Sequence, residues 1–130
     1  MQSASKEPPR SIAICLPRDA PLRNWFAARL ISGLQAIPGV RIFGITDPSR
    51  FDERCSTLSF RLGDHNPTEI ATFLGDRGIF TWDGNFYALN LSERLGVEQH
   101  GGVLRVGLVH YNTAEEVDRL LSALREFVAR

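Results

Sequence analysis

The chain has 130 residues, 43% hydrophobic and 23% charged, which suits one folded domain of ordinary globular composition. Its 15 Lys and Arg balance 15 Asp and Glu for a formal net charge of +0, so no strong field draws nucleic acid or an anionic membrane surface. No apolar run approaches the roughly 18 residues of a membrane span, and Cys15 and Cys55 form neither a CxxC nor a metal-ligand spacing. The expectation is a cytoplasmic protein with two free thiols.

In chain order, residues 1–21 read as a poorly ordered polar leader, with Ser11–Leu16 as a short strand and Pro17–Pro21 breaking the pattern. The domain proper is expected over residues 22–130. Leu22, Trp25, Phe26, Leu30, Leu34 and Ile37 recur near helical spacing and predict an amphipathic helix ended by Pro38-Gly39. Val40–Ile45 is strand-like, Asp47-Pro48 starts a loop, and Thr57–Leu62 alternates with Leu58, Phe60 and Leu62 on one face. Asn66-Pro67 starts a helix whose buried stripe is Ile70, Phe73 and Leu74, bracketed at its end by Gly75 and Gly78. Ile79–Trp82 reads as a short strand running into a turn at Asp83-Gly84-Asn85, Ala88–Leu95 as a short helix closed by Gly96, and Gly101-Gly102 as a flexible joint. The last helix, Thr113–Val128, carries Val117, Leu120, Leu121, Leu124 and Val128 on one face. The fold class is therefore α+β, a small, mainly antiparallel sheet covered by helices.

The most informative stretch is Gly102–Asp118, GVLRVGLVHYNTAEEVD. It reads as an apolar strand, a turn and a helix opened by Thr113 with Glu116 three residues on, the pattern of a capping box. Arg105 sits inside that strand between Leu104 and Val106. A guanidinium stays charged and is costly to bury unpaired, so it needs an anion from the protein or from a ligand.

This segment resembles the end of the small C-terminal domain of the class V aminotransferase and cysteine desulfurase family, pyridoxal-phosphate (PLP) enzymes of fold type I. The resemblance extends upstream through Arg77-Gly78-Ile79-Phe80-Thr81-Trp82-Asp83-Gly84-Asn85-Phe86-Tyr87-Ala88 and is nearest to the cysteine desulfurase-like subgroup. It implies an amino-acid substrate, PLP as cofactor of the intact enzyme and a homo-oligomer, a dimer among the expectations. It also implies that Arg105 grips the substrate α-carboxylate and that the Trp82–Tyr87 loop faces the site, giving substrate-binding candidates Arg105, Trp82, Asn85 and Tyr87. In desulfurases of the family that loop carries the cysteine that takes the sulfur, and the correspondence puts Tyr87 at its place. A phenol forms no persulfide.

The residues alone leave other readings open. Arg105 could be a structural ion pair with Glu93, Asp83 or another chain, and Trp82–Tyr87 a turn with packed aromatics. His65, His100 and His110 have no ligand spacing and read as surface or turn residues, and Cys55 as a small buried hydrophobe. No catalytic residue, metal ligand or cofactor-binding residue is assigned. Lys6, the only lysine, stands in the polar leader, whereas PLP enzymes hold the aldehyde on a lysine. The family's large domain supplies that lysine, so no PLP is expected on this chain alone, and a partner chain carrying the PLP-lysine domain is one source of it. The alternative function is a stand-alone amino-acid-binding or protein-interaction module, with Trp25, Phe26, Trp82 and Phe86 as candidate exposed apolar residues.

Overall fold

The computed structural model describes residues 20–109 and 111–130. The expected leader strand Ser11–Leu16, Lys6, Cys15 and His110 lie outside the described residues. Helix α1 (Ala20–Gln35) leads into strand β1 (Val40–Phe43), a 3-10 turn at Pro48–Glu53, and strand β2 (Thr57–Leu62). Helix α2 (Pro67–Gly75), strand β3 (Trp82–Gly84), helix α3 (Leu89–Arg94), a 3-10 turn at Glu98–His100, strand β4 (Val103–Gly107) and helix α4 (Ala114–Val128) follow. Among the described residues these four strands form one sheet in the order β1-β2-β4-β3, every neighbouring pair antiparallel. The architecture is the expected α+β layer.

Local chemistry starts these elements where the residue types predict. The Asn66 side chain accepts the Thr68 N–H, with Pro67 in the first turn of α2. Thr113 Oγ1 accepts the Glu116 N–H while Glu116 accepts the Thr113 N–H, a closed capping box at the head of α4. Bonds from the Asn112 side chain and then the Thr113 N–H hold the Glu116 carboxyl below its ordinary pKa. Helix α1 begins at Ala20, so Pro21 lies in its first turn rather than breaking the pattern.

Period-two alternation sorts the sheet into two faces. Leu58, Phe60 and Leu62 of β2 and Leu104 and Val106 of β4 point into a core completed by Phe26, Leu30, Ile31 and Leu34 of α1, Ile70, Phe73 and Leu74 of α2, and Val117, Leu121 and Leu124 of α4. Phe26 is thus a core residue and not part of an exposed patch. Arg29 of α1 donates through Nε and Nη2 to the two oxygens of Asp118 on α4, at 3.1 and 2.6 Å. Arg77 grips Glu126 of α4 in the same two-pronged way.

The other face carries Arg61, which is only 8% exposed yet has no carboxylate partner among the described residues. Its Nη1 donates to the carbonyls of His100 and Gly102 at 3.0 and 2.6 Å, and its Nη2 to that of His65 at 3.1 Å. Backbone dipoles therefore satisfy this cation, and it ties the turn before β4 to the turn after β2.

Three expectations are corrected between residues 79 and 102. Ile79–Thr81 do not pair; a cleft of about 170 Å³ lined by Ile79, Thr81, Val106, Leu108 and Leu120 separates them from the end of β4. Pairing begins only at Trp82, opposite Arg105, and continues through Asp83 and Gly84, so the first two of the three expected turn residues are strand and only Asn85 lies beyond it. The chain reverses later, with Phe86 and Tyr87 at φ of 55° and 62°. Gly101-Gly102 is not a flexible joint. Gly102 has φ of 80° and is buried, and a Cβ there would run into the Gly84 carbonyl across the strand pair. Backbone cannot yield as a side-chain tip can. Gly102→Ala is accordingly expected to lower the unfolding free energy by about 3 kcal/mol or more, read from urea denaturation; a loss under about 0.5 kcal/mol would show that β3 and β4 do not depend on this approach.

Candidate functional site

The site grows from the register. Phe43, Ser59, Arg105 and Trp82 lie opposite one another on β1, β2, β4 and β3, forming one row across the face away from the core. Leu104 and Val106 occupy the core face of β4, so Arg105 between them must take the other. The guanidinium is half-buried. Among the described residues it makes no salt bridge: the ion pairs there are Arg29–Asp118, Arg50–Glu53 and Arg77–Glu126. Neither Glu93 nor Asp83 pairs with it, and Asp83 instead accepts from the Thr68 hydroxyl at 2.7 Å. Among the described residues, then, neither of the two carboxylates named for a structural pair is its partner.

What the guanidinium does have is an aromatic face. Its Cζ lies 3.9 Å from the centroid of the Phe86 ring, well inside cation–π range. Phe86 is brought there by a loop held through Asn85. The Asn85 Oδ1 accepts the Tyr87 N–H at 3.1 Å, and its Nδ2 donates to Glu98 Oε1 at 3.1 Å. Both Phe86 and Tyr87 adopt left-handed backbone, which costs an ordinary residue about 1–2 kcal/mol each.

The four candidates separate on this geometry. Arg105 and Trp82 are cross-strand partners on the same face, and Trp82 is 72% exposed. Asn85 is spent on holding the loop, while the Tyr87 side chain is fully exposed at its tip. The sequence reading missed Phe86 as a partner of Arg105, treating it as part of an apolar patch. It also missed Ser59 and Phe43, which belong to the row only through β2 pairing, and Glu98, whose Oε2 is buried without a hydrogen-bond partner. No local signal marks these, because the contacts depend on register rather than on sequence neighbours.

Other candidate chemistry is thin. Cys55 is exposed, not buried; desolvation raises its thiol pKa, but hydrogen bonds from Thr57 and the Arg54 charge leave it below the ordinary value. Among the described residues no three His, Cys, Asp or Glu side chains gather into a metal-binding group, and no helix is long and apolar enough to cross a membrane. Residues 20–130 contain no lysine, so none of the described residues can hold an aldehyde as a Schiff base. The donor set that remains at the site is the Arg105 guanidinium, without an anchor for the cofactor aldehyde among the described residues.

The model of the family Aminotransferase class-V matches residues 22–120. A cysteine desulfurase of Cronobacter sakazakii is 35% identical over 97 residues, 75% of this chain and 22% of that protein. A probable cysteine desulfurase of Mycolicibacterium paratuberculosis is 38% identical over 92 residues, 71% of this chain and 12% of its own length. Among solved structures, the cysteine desulfurase CsdA (S-sulfonic acid) of Escherichia coli superposes with a TM-score of 0.73 at 27% identity, over 86% of this chain and 26% of that one. The apo cysteine desulfurase of Thermococcus onnurineus NA1 gives a TM-score of 0.73 at 25% identity, over 82% and 25%. The chain therefore spans about a quarter or less of the proteins it matches, and within that span it belongs to the class V aminotransferase family, on its cysteine desulfurase-like side.

Proposed function

We propose that residues 22–130 act as the substrate-carboxylate-binding small domain of a cytoplasmic, PLP-dependent enzyme of the cysteine desulfurase-like group that takes an amino acid as substrate. The observation that carries this reading is Arg105: a half-buried cation on an inner strand with no protein anion among the described residues. Its planar fork matches a carboxylate in two-point geometry. Trp82 beside it and the Asn85-held loop shape the rest of the pocket, with Tyr87 at the rim.

In this reading the described residues bind and orient; they do not carry the chemistry. The lysine that holds the cofactor comes from elsewhere, either from a longer chain of which these residues are one part or from a partner chain in a homo- or hetero-oligomer. Tyr87 cannot become a persulfide, so sulfur does not leave by way of this loop. Holding a carboxylate without the electron sink lowers no barrier, and the 130-residue chain by itself is inactive. Incubated with cysteine and PLP, it is expected to release no sulfide and form no alanine above a PLP-only blank; turnover above that blank would refute the assignment.

A second reading is favoured by one observation. Phe80, Trp82, Leu89, Leu91, Val109 and Tyr111 are large apolar or aromatic residues left exposed, and such groupings mark association surfaces. As a stand-alone interaction module the chain would self-associate or bind a partner through them. Gel filtration tests the self-association: elution as a dimer or larger species supports a contact surface in this chain, whereas a clean monomer at high concentration removes self-association through it.

A further inference from the structure

We propose that Phe86 is a positioning residue for Arg105, and that the strained loop exists to lay its ring against the guanidinium. This rests on the reading of Arg105 as the carboxylate grip. Two successive non-glycine residues in left-handed backbone, Phe86 and Tyr87, are held in place by both ends of the Asn85 amide. Strain kept by dedicated hydrogen bonds calls for a return. The contact it produces is the Phe86 ring 3.9 Å from Arg105 Cζ.

The chemistry of that contact is specific. A guanidinium is a flat ion with its N–H groups in the plane and two bare faces. An aromatic ring on one face attracts the charge without using a single N–H. The ring therefore fixes the plane of the fork while leaving its donors for a carboxylate arriving edge-on. A carboxylate side chain in the same place would have neutralised the cation and occupied those donors. The contrast with Arg61 supports the distinction, because there the Nη groups are consumed by three carbonyls.

Phe86 also permits a test in which stability and binding move apart. Asn suits left-handed backbone better than Phe does, so Phe86→Asn removes the ring without adding backbone strain. The chain is labelled with 15N-arginine and the Arg105 Nε–H signal, assigned by its loss in Arg105→Gln, is followed during titration with L-alanine. L-alanine methyl ester, which lacks the carboxylate, is the control. In the parent chain this proton is expected to be shifted by the ring current, and alanine to bind where the ester does not.

In Phe86→Asn the ring-current shift is expected to vanish, alanine binding to weaken by about three- to tenfold, and the melting temperature to stay the same or rise. Phe86→Tyr is expected to restore both shift and affinity. Unchanged alanine affinity in Phe86→Asn would overturn the positioning role while leaving the carboxylate grip intact. If the parent chain binds alanine no better than the ester, or if Arg105→Gln binds alanine equally well, the carboxylate grip itself fails and the positioning role falls with it.

Discussion

The alternation of strand β4 is the constraint on which the rest depends. This strand lies inside the sheet between β2 and β3, and Leu104 and Val106 are locked into the core against Leu58, Phe60 and the helices. A slip of one residue would drive the Arg105 guanidinium into that core and both apolar side chains out of it. Desolvating an unpaired charge costs more than the strand gains from any alternative pairing. The apolar pattern therefore dictates where the arginine stands, and the pairing of β4 with β3 dictates that Trp82 stands beside it. The row of residues at the candidate site follows from a register that the core enforces.

Two arginines on that same face have opposite fates, and the difference is instructive. Arg61 is almost fully buried, and backbone carbonyls from His65, His100 and Gly102 absorb its donors. It holds together the turns that frame the sheet. Arg105 is half-buried, has an aromatic ring on one face and no anion among the described residues. The donors of Arg61 are used by the protein, whereas among the described residues none of the Arg105 donors meets a carboxylate, which is the difference on which the proposed carboxylate grip rests. Residue type does not separate the cases, and neither does local sequence, since two of the three acceptors of Arg61 lie 39 and 41 residues away in the chain.

Much of the fold was legible because it is written in local chemistry. The Thr113–Glu116 box, the Asn66-Pro67 start and the alternation of Leu58, Phe60 and Leu62 each carry their own physical reason and each formed as read. The failures share a cause in tertiary contact. Ile79–Trp82 is apolar enough for a strand, but a cleft rather than β4 lies beside its first part. Asp83-Gly84 has turn chemistry, yet Gly84 is needed in the strand because it lies against Gly102. Gly101-Gly102 looked like freedom and is close packing. Within the candidate site, Arg105 stood out as a charge inside an apolar run, whereas Phe86 and Ser59 did not, because nothing local ties them to it.

The proposed role, a carboxylate grip whose cofactor lysine is supplied from elsewhere, requires that Lys6, the only lysine of the chain, anchors no PLP. The most direct test is an absorbance titration of the purified chain with PLP, followed by borohydride reduction and mass analysis. No adduct is expected beyond the amount that denatured chain gives. A stoichiometric adduct at Lys6 whose absorbance shifts when an amino acid is added would contradict it, and would make this chain a PLP site in its own right.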